Sequence, residues 1–213
     1  VDGISGSKRL SFLGTDYVQY GRVMMQQAAE ATDGKGNVIV SNALSAGSAA
    51  VEDVMTGIRE ECKNWPDMSI VAEIDDNSDA AVAATKIGAA LLANKDVTAV
   101  IGGQSTSAIG GVTAIKEAGL TGKVRVISID RDASTLEYIQ HGDIYSTVAG
   151  KQYTEVYYGV KICYDYRHGS KKAFSKDDAS ANMVVAPSYV DCGSLIINKD
   201  NVDKFVGFSY AKR

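Results

Sequence analysis

A chain of 213 residues, 45% of them hydrophobic, can bury a sizeable core, either as one large domain or as two lobes that share strands. Its 22 lysines and arginines against 26 aspartates and glutamates leave a net charge of -4 and no basic run beside aromatics, which argues against a nucleic-acid partner. No apolar stretch approaches the ~20 residues of a membrane-spanning helix. The opening Val1-Asp2-Gly3-Ile4-Ser5 lacks the basic-then-apolar order of a signal peptide, so any export signal is expected to have been removed or to lie upstream.

The first strand is expected over residues 9–14, running into Thr15 and Asp16. Asp16 to Gln19 has the capping-box form, and Val23, Met24, Ala28 and Ala31 follow at helical intervals. A second strand over 37–40 runs into Ser41 and Asn42. Ser48 then caps a helix through Cys62, with Val51, Val54, Met55, Ile58 and Cys62 on its inner face. The third strand, 69–74, ends at Asp75 and Asp76, which read as solvated turn residues, and Asp79 opens a helix over 80–93. The fourth, 99–103, ends at Gln104 and Ser105; Ser105 or Ser107 opens a helix to Ala118, with Gly119 as its stop. The fifth, 124–129, runs into Asp130. Ser134 to Glu137 is a second capping box, before a short helix that ends at His141-Gly142. A strand over 144–149 and a long helix over 152–167 follow. This cadence predicts an α/β fold with a doubly wound parallel sheet. Right-handed crossovers would bring the strand ends to one edge, where open parallel sheets bind small molecules, so Thr15, Ser45, Gln104 and Asp130 are expected along one concave edge of a single sheet.

Cys62, Cys163 and Cys192 lie far apart without metal-ligand spacing and read as small core residues. His141 and His168 are each followed by Gly and read as helix-end residues, so no metal site is expected. The glycine-rich run from Gly102 to Gly111 follows a strand and opens a helix, but its spacing matches neither the dinucleotide fingerprint nor the P-loop; it reads as a strand-to-helix turn. No Gly-x-Ser-x-Gly elbow is present, and neither histidine follows a strand as a triad base would. Asp75, Asp76, Asp79 and Asp130 could support acid/base work, but the chain does not read as an enzyme, and neither catalytic residues nor a cofactor are expected. Tyr153, Val156, Tyr157, Val160 and Tyr164 form an apolar stripe on the last long helix, expected to dock on a second copy or on the lobe itself.

Several segments carry a family resemblance: Gly14-Thr15-Asp16-Tyr17 before the first helix, Gly34-Lys35-Gly36-Asn37-Val38 before the next strand, the run 124–130 ending in Asp130, Gly142-Asp143-Ile144-Tyr145, and the closing stretch 190–202. Their order and spacing resemble the type I periplasmic binding proteins, specifically the ribose-binding-like receptors of sugar ABC transporters. The related LacI-type repressors usually carry a Gly-His pair where this chain has Gly34-Lys35-Gly36, and no DNA-binding headpiece is visible.

The resemblance implies two lobes joined by three crossing strands, with ligand clasped between them. It places the crossings at Val1-Asp2, at 146–150 and at 186–192. Residues 3–149 would form the C-terminal ligand-binding lobe and 150–189 a helix and a strand, near 183–185, that belong to the N-terminal lobe. Residues 190–213 would form the final hinge crossing and C-terminal strand. Most of the N-terminal lobe is expected to precede Val1 and to be absent. The implied function is a solute-binding receptor that delivers a sugar or polyol to an ABC permease, periplasmic or extracellular and anchored to the cell surface as a lipoprotein. A ligand-sensing domain coupled to a membrane sensor kinase, and an α/β enzyme, are the alternatives.

Residue by residue, the resemblance makes Asp2 the hinge aspartate that accepts from sugar hydroxyls. It puts Gln104 where an Asn usually sits, and Asp130 where an aspartate holds two neighbouring hydroxyls. Thr15 and Ser45 fall at cleft-lining positions, and Asn77 or Ser78 where an aromatic often stacks on the ring. On its own residues Asp130 reads equally as a helix cap, because Ala133 begins a helix just beyond it. Two departures stand out: Val54 aligns with the family's sugar-binding arginine and Gly150 with a hinge glutamine. A ligand with an apolar patch, or no acceptor, toward Val54 is therefore expected.

Overall fold

The computed structural model describes residues 11–168 and 187–207. The chain divides into two compact units, Val1–Asp16 with Gly150–Ser194, and Tyr17–Ala149 with Leu195–Arg213.

The larger unit is built on a six-stranded sheet in the order β3-β2-β4-β5-β6-β8. Its strands are β2 (Gly36–Asn42), β3 (Met68–Asp75), β4 (Val97–Gly102), β5 (Arg125–Ile129), β6 (Ser146–Gly150) and β8 (Ser194–Asn198). Strands β3, β2, β4, β5 and β6 pair in parallel. The central strands read as unbroken apolar runs because both of their faces are covered. Val38, Val40, Ala99, Ile101, Ile127 and Val148 meet α1 (Tyr17–Ala31) and α2 (Ala49–Cys62) on one side. Ile39, Val100, Val126 and Ala149 meet α3 (Ala80–Ala93), α4 (Ser105–Glu117) and α5 (Ala133–His141) on the other. The alternation along each strand, odd residues one way and even the other, is the period of two that a pleated strand imposes. The sheet is doubly wound, as the strand and helix cadence predicts. Because β2 lies between β3 and β4, the chain leaves β2 on one flank and returns on the other.

The predicted caps hold in part. Asp79 caps α3, its carboxylate accepting from the N–H groups of Ala81 at 2.8 Å and Val82 at 3.0 Å. At α5 the cap is Asp132 rather than Ser134: Asp132 accepts from the Thr135 N–H at 2.9 Å, and the Ser134 hydroxyl donates to it at 2.6 Å. Gln104, not a serine, stands at the N-cap of α4.

The smaller unit corrects the expectation of one sheet. Strand β1 (Phe12–Gly14) pairs in parallel with β7 (Tyr189–Asp191), and Phe12 stacks on Tyr189 with ring centroids 5.3 Å apart. Helix α6 (Gln152–His168) belongs to this unit and has no buried residue. Its predicted stripe is exposed, from Tyr157 at 54% to Tyr153 and Val156 at 67%. The expected strand near 183–185 lies outside the described residues. The cysteines depart from their reading as core residues: Cys163 is exposed, and Cys62 and Cys192 are half-buried.

Helices α1 and α2 touch through backbone. A Cβ on Gly21 would stand 2.0 Å from the Val54 carbonyl oxygen, and one on Gly57 would stand 1.9 Å from that of Val18. Helix propensity alone predicts that alanine at either glycine stabilises by about 1 kcal/mol. Overpacking against backbone, which cannot rotate aside, costs about 1–3 kcal/mol and more where no side chain can yield. The second effect wins. Gly21→Ala and Gly57→Ala are each expected to lower stability by about 2 kcal/mol in urea unfolding, whereas Gly88→Ala, with nothing within 4 Å, should be neutral or stabilising.

Candidate ligand-binding site

Four adjacent strands deliver their C-terminal ends to one edge of the six-stranded sheet. In sheet order β3, β2, β4 and β5 are followed by Asn77, Ser45, Gln104 and Asp130. Neighbouring strands lie about 4.8 Å apart, so this edge spans roughly 15 Å, enough for a small polar molecule. It includes the point where the chain reverses direction around β2, the usual position of a ligand crevice in open parallel sheets.

The ends of β2 and β3 are tied by a buried carboxylate. Asp76 is fully buried, contrary to its reading as a solvated turn residue. It accepts from the Ser41 hydroxyl at 2.6 Å and the Ser78 N–H at 2.9 Å, while its own N–H donates to the Asn42 carbonyl at 3.1 Å. These bonds hold the next two residues in the left-handed region, Asn77 at φ 54° and Ser78 at φ 60°. The Ser45 hydroxyl donates to Asn77 Oδ1 at 2.8 Å, and the Ser45 N–H reaches Asp75 Oδ1 at 3.3 Å. Hydrogen bonding from Ser45 holds the Asp75 carboxyl below the usual carboxylate range.

At the ends of β4 and β5 the site changes character. The Gln104 amide donates from Nε2 to Asn42 Oδ1 at 3.3 Å. Asp130 sits at φ 65°, held by its N–H on the Val148 carbonyl at 2.8 Å and by the Thr147 hydroxyl on its own carbonyl at 2.6 Å. Its carboxylate is open to solvent yet crowded by protein, and no group among the described residues donates to it. Lost hydration first, then the charge of Asp132, pushes its pKa up. Asp132 goes the other way: burial raises its pKa, but hydrogen bonds from Ser134, Thr135 and Ser105 outweigh that and hold it low. The ambiguity at Asp130 is thereby resolved geometrically, since Asp132 takes the capping role.

The other predicted positions fare differently. Thr15 follows β1, in the smaller unit rather than at a strand of the six-stranded sheet, and donates its hydroxyl to Glu155 at 2.8 Å. Asp2 lies outside the described residues. Val54 sits in the middle of α2, 3% exposed, packed with Tyr20, Met24, Met55 and Ile58. A side chain there faces core, so the expected constraint on the ligand at Val54 falls away. Ser41, Asn42 and Asp76 lie outside the predicted site residues. The signal for Ser41 and Asn42 is a polar pair directly after the buried Val38-Ile39-Val40 run. A depression of about 320 Å³ lies at the opposite edge, at the starts of β5 and β6, where Lys116 is already paired with Asp143 at 2.7 Å. Among the described residues no three histidines, cysteines or carboxylates gather as a metal site.

A family model described as a periplasmic binding protein domain matches residues 1–171. The chain belongs to the periplasmic binding protein family. Solved structures agree. AraP, an arabinose binding protein from Geobacillus stearothermophilus, is similar with a TM-score of 0.85 and 25% identity, over 95% of this chain and 67% of its own. A solute binding protein of an ABC transporter from Agrobacterium vitis, solved with alpha-D-tagatopyranose, gives 0.75 and 25%, over 93% and 63%. A carbohydrate transporter solute binding protein from Agrobacterium radiobacter, solved with D-arabinose, gives 0.73 and 26%, over 92% and 64%. The chain thus spans about two thirds of the length of these relatives. All three are binding proteins.

The strain at Asp130 has a pH signature. A carboxyl whose folded pKa is raised holds its proton in the folded state at pH values where the unfolded chain has lost it. Stability from this group therefore falls as pH rises from the unfolded value, about 3.9, through the folded one. Asn tolerates the left-handed backbone and carries no charge. Asp130→Asn is expected to raise the melting temperature at pH 7 by about 2 °C, as a gain below 1 kcal/mol does in a chain of this size. The gain should vanish below about pH 4. Scanning calorimetry at the two pH values checks both.

Proposed function

We propose that this chain is the ligand-binding part of a periplasmic or extracellular receptor for a sugar or sugar-like polyol, which it hands to an ABC permease. The observation that carries this reading is Asp130: a solvent-open carboxylate, crowded by protein and without a donor among the described residues, at the sheet edge where small molecules bind. Two neighbouring hydroxyls would supply the missing donors as charge-assisted hydrogen bonds to a carboxylate whose pKa is pushed up by lost hydration and by the charge of Asp132. Gln104 stands on the adjacent strand end and can accept a further hydroxyl. Ser45 and Asn77, already hydrogen-bonded to each other, would form the far wall. The relatives solved with tagatopyranose and arabinose support a carbohydrate of this size. Lipid anchoring at the cell surface belongs to the same proposal, on family resemblance alone.

The test is a thermal-shift screen of the complete natural protein against D-arabinose, D-tagatose, D-allose and myo-inositol. A binder should raise the melting temperature with the logarithm of its concentration, stabilising the fold by about 2.7 kcal/mol at a hundred times Kd. Asp130→Asn should abolish that shift while folding normally, and an analogue lacking one of the paired hydroxyls should bind tenfold or more weakly. No shift with any of the four, or an unchanged shift in Asp130→Asn, would overturn the proposal.

A further inference from the structure

The side chain of Asn42 enters the site above only as the acceptor for Gln104, yet it is 1% exposed and sits where the sheet reverses. Its Oδ1 accepts from the Ala43 N–H at 2.9 Å and from Gln104 Nε2 at 3.3 Å, while its buried Nδ2 meets no acceptor among the described residues. Turning the amide over does not relieve this. It would aim Nδ2 at the Ala43 N–H, a donor that cannot change, so the backbone fixes which end of Asn42 is oxygen. Gln104 must then donate, and its own Oε1 is left as the acceptor. The amide lies flat on Gly103, where a Cβ would stand 2.3 Å from Nδ2, so the loop after β4 is shaped around it. A buried donor without a partner is rare in folded proteins and requires an explanation.

We propose that Asn42 is a positioning residue that sets the polarity of the Gln104 amide, so that the site presents an acceptor, Gln104 Oε1, to the ligand. The site then takes a hydroxyl that donates at this point and rejects an ether oxygen there. The orphaned Nδ2 is the cost of aiming Oδ1 at Gln104. This inference rests on the proposed function, because the contact of Gln104 with ligand is part of that reading.

A double-mutant cycle in the complete protein separates the two. Affinity is measured by calorimetry for whichever of the four compounds binds most tightly in the thermal-shift screen. Asn42→Ala should weaken binding about tenfold when Gln104 is present and less than twofold in a Gln104→Ala background, the non-additivity expected of a residue that acts through another. Asn42→Asp, which keeps an acceptor facing Ala43 and Gln104, should stay within about threefold of the natural protein. Additive losses, or an Asn42→Asp variant as weak as Asn42→Ala, overturn the role of Asn42 while leaving the site reading in place. A Gln104→Ala variant that binds normally overturns that reading and this inference with it. The geometry is also open to NMR on the unsubstituted, ligand-free protein, which needs neither a folded variant nor a binder. One Gln104 Nε2 proton should exchange slowly and resonate apart from those of exposed glutamines, and a freely averaging amide overturns the inference.

Discussion

Burial of β2 on both faces is the constraint from which the remaining architecture follows. Val38, Ile39 and Val40 are all 0% exposed, so the strand has no side on which a polar group could meet water. Every polar residue must then stand at an end of the strand, and parallel pairing sends all the C-terminal ends the same way. The chemistry of the edge is a by-product of a dry sheet. It is concentrated at β2 because, among the described strands, that one is flanked on both sides by strands that follow it in the chain, β3 on one side and β4 on the other.

What the sequence reveals follows from which forces are local. The alternation of strands and helices, the Asp79 cap and the Gly119 stop are set by residues within one turn of each other, and these are legible. So is the gathering of Ser45, Gln104 and Asp130, which needs only the handedness rule. The errors lie where a distant partner decides. Asp76 looks like a solvated turn until Ser41, 35 residues earlier, donates to it. Ser134 makes a good capping box, yet the helix starts earlier, at Asp132, which accepts from the Thr135 N–H and takes the Ser134 hydroxyl as a donor as well. Val54 aligns with the family's arginine along the sequence, but its burial in α2 is set by how closely α1 approaches. Strand β1 reads as part of the large sheet because its cadence is the same, but its partner, β7, lies near the other end of the chain.

The site is held in a high-energy state by its surroundings. Asn77, Ser78 and Asp130 all carry left-handed backbone, each of order 1 kcal/mol or more above the ordinary regions, and all three stand at strand ends. Asp130 adds an uncompensated charge and Asn42 an uncompensated donor. Ser45 and Asn77, and Gln104 and Asn42, bond one another, but these tensions leave the Asp130 carboxylate open to a ligand. A relaxed edge would satisfy itself internally and have less affinity to offer.

The glycine contacts between helices bear on how such a protein diversifies. Gly21 and Gly57 bring α1 and α2 into backbone contact, and on the other face a Cβ at Gly110 would stand 2.5 Å from Ala83 Cβ and 2.6 Å from the Ala80 carbonyl. Both helical layers are thus clamped by main chain, which has no rotamers with which to absorb change. New ligand preferences cannot arise by loosening the scaffold and are confined to the short loops after β2, β3, β4 and β5. Those loops are tied to one another by the Ser41–Asp76, Ser45–Asn77 and Gln104–Asn42 hydrogen bonds, so a lineage turns from one small molecule to another by exchanging residues in bonded pairs while the frame that aims them stays the same.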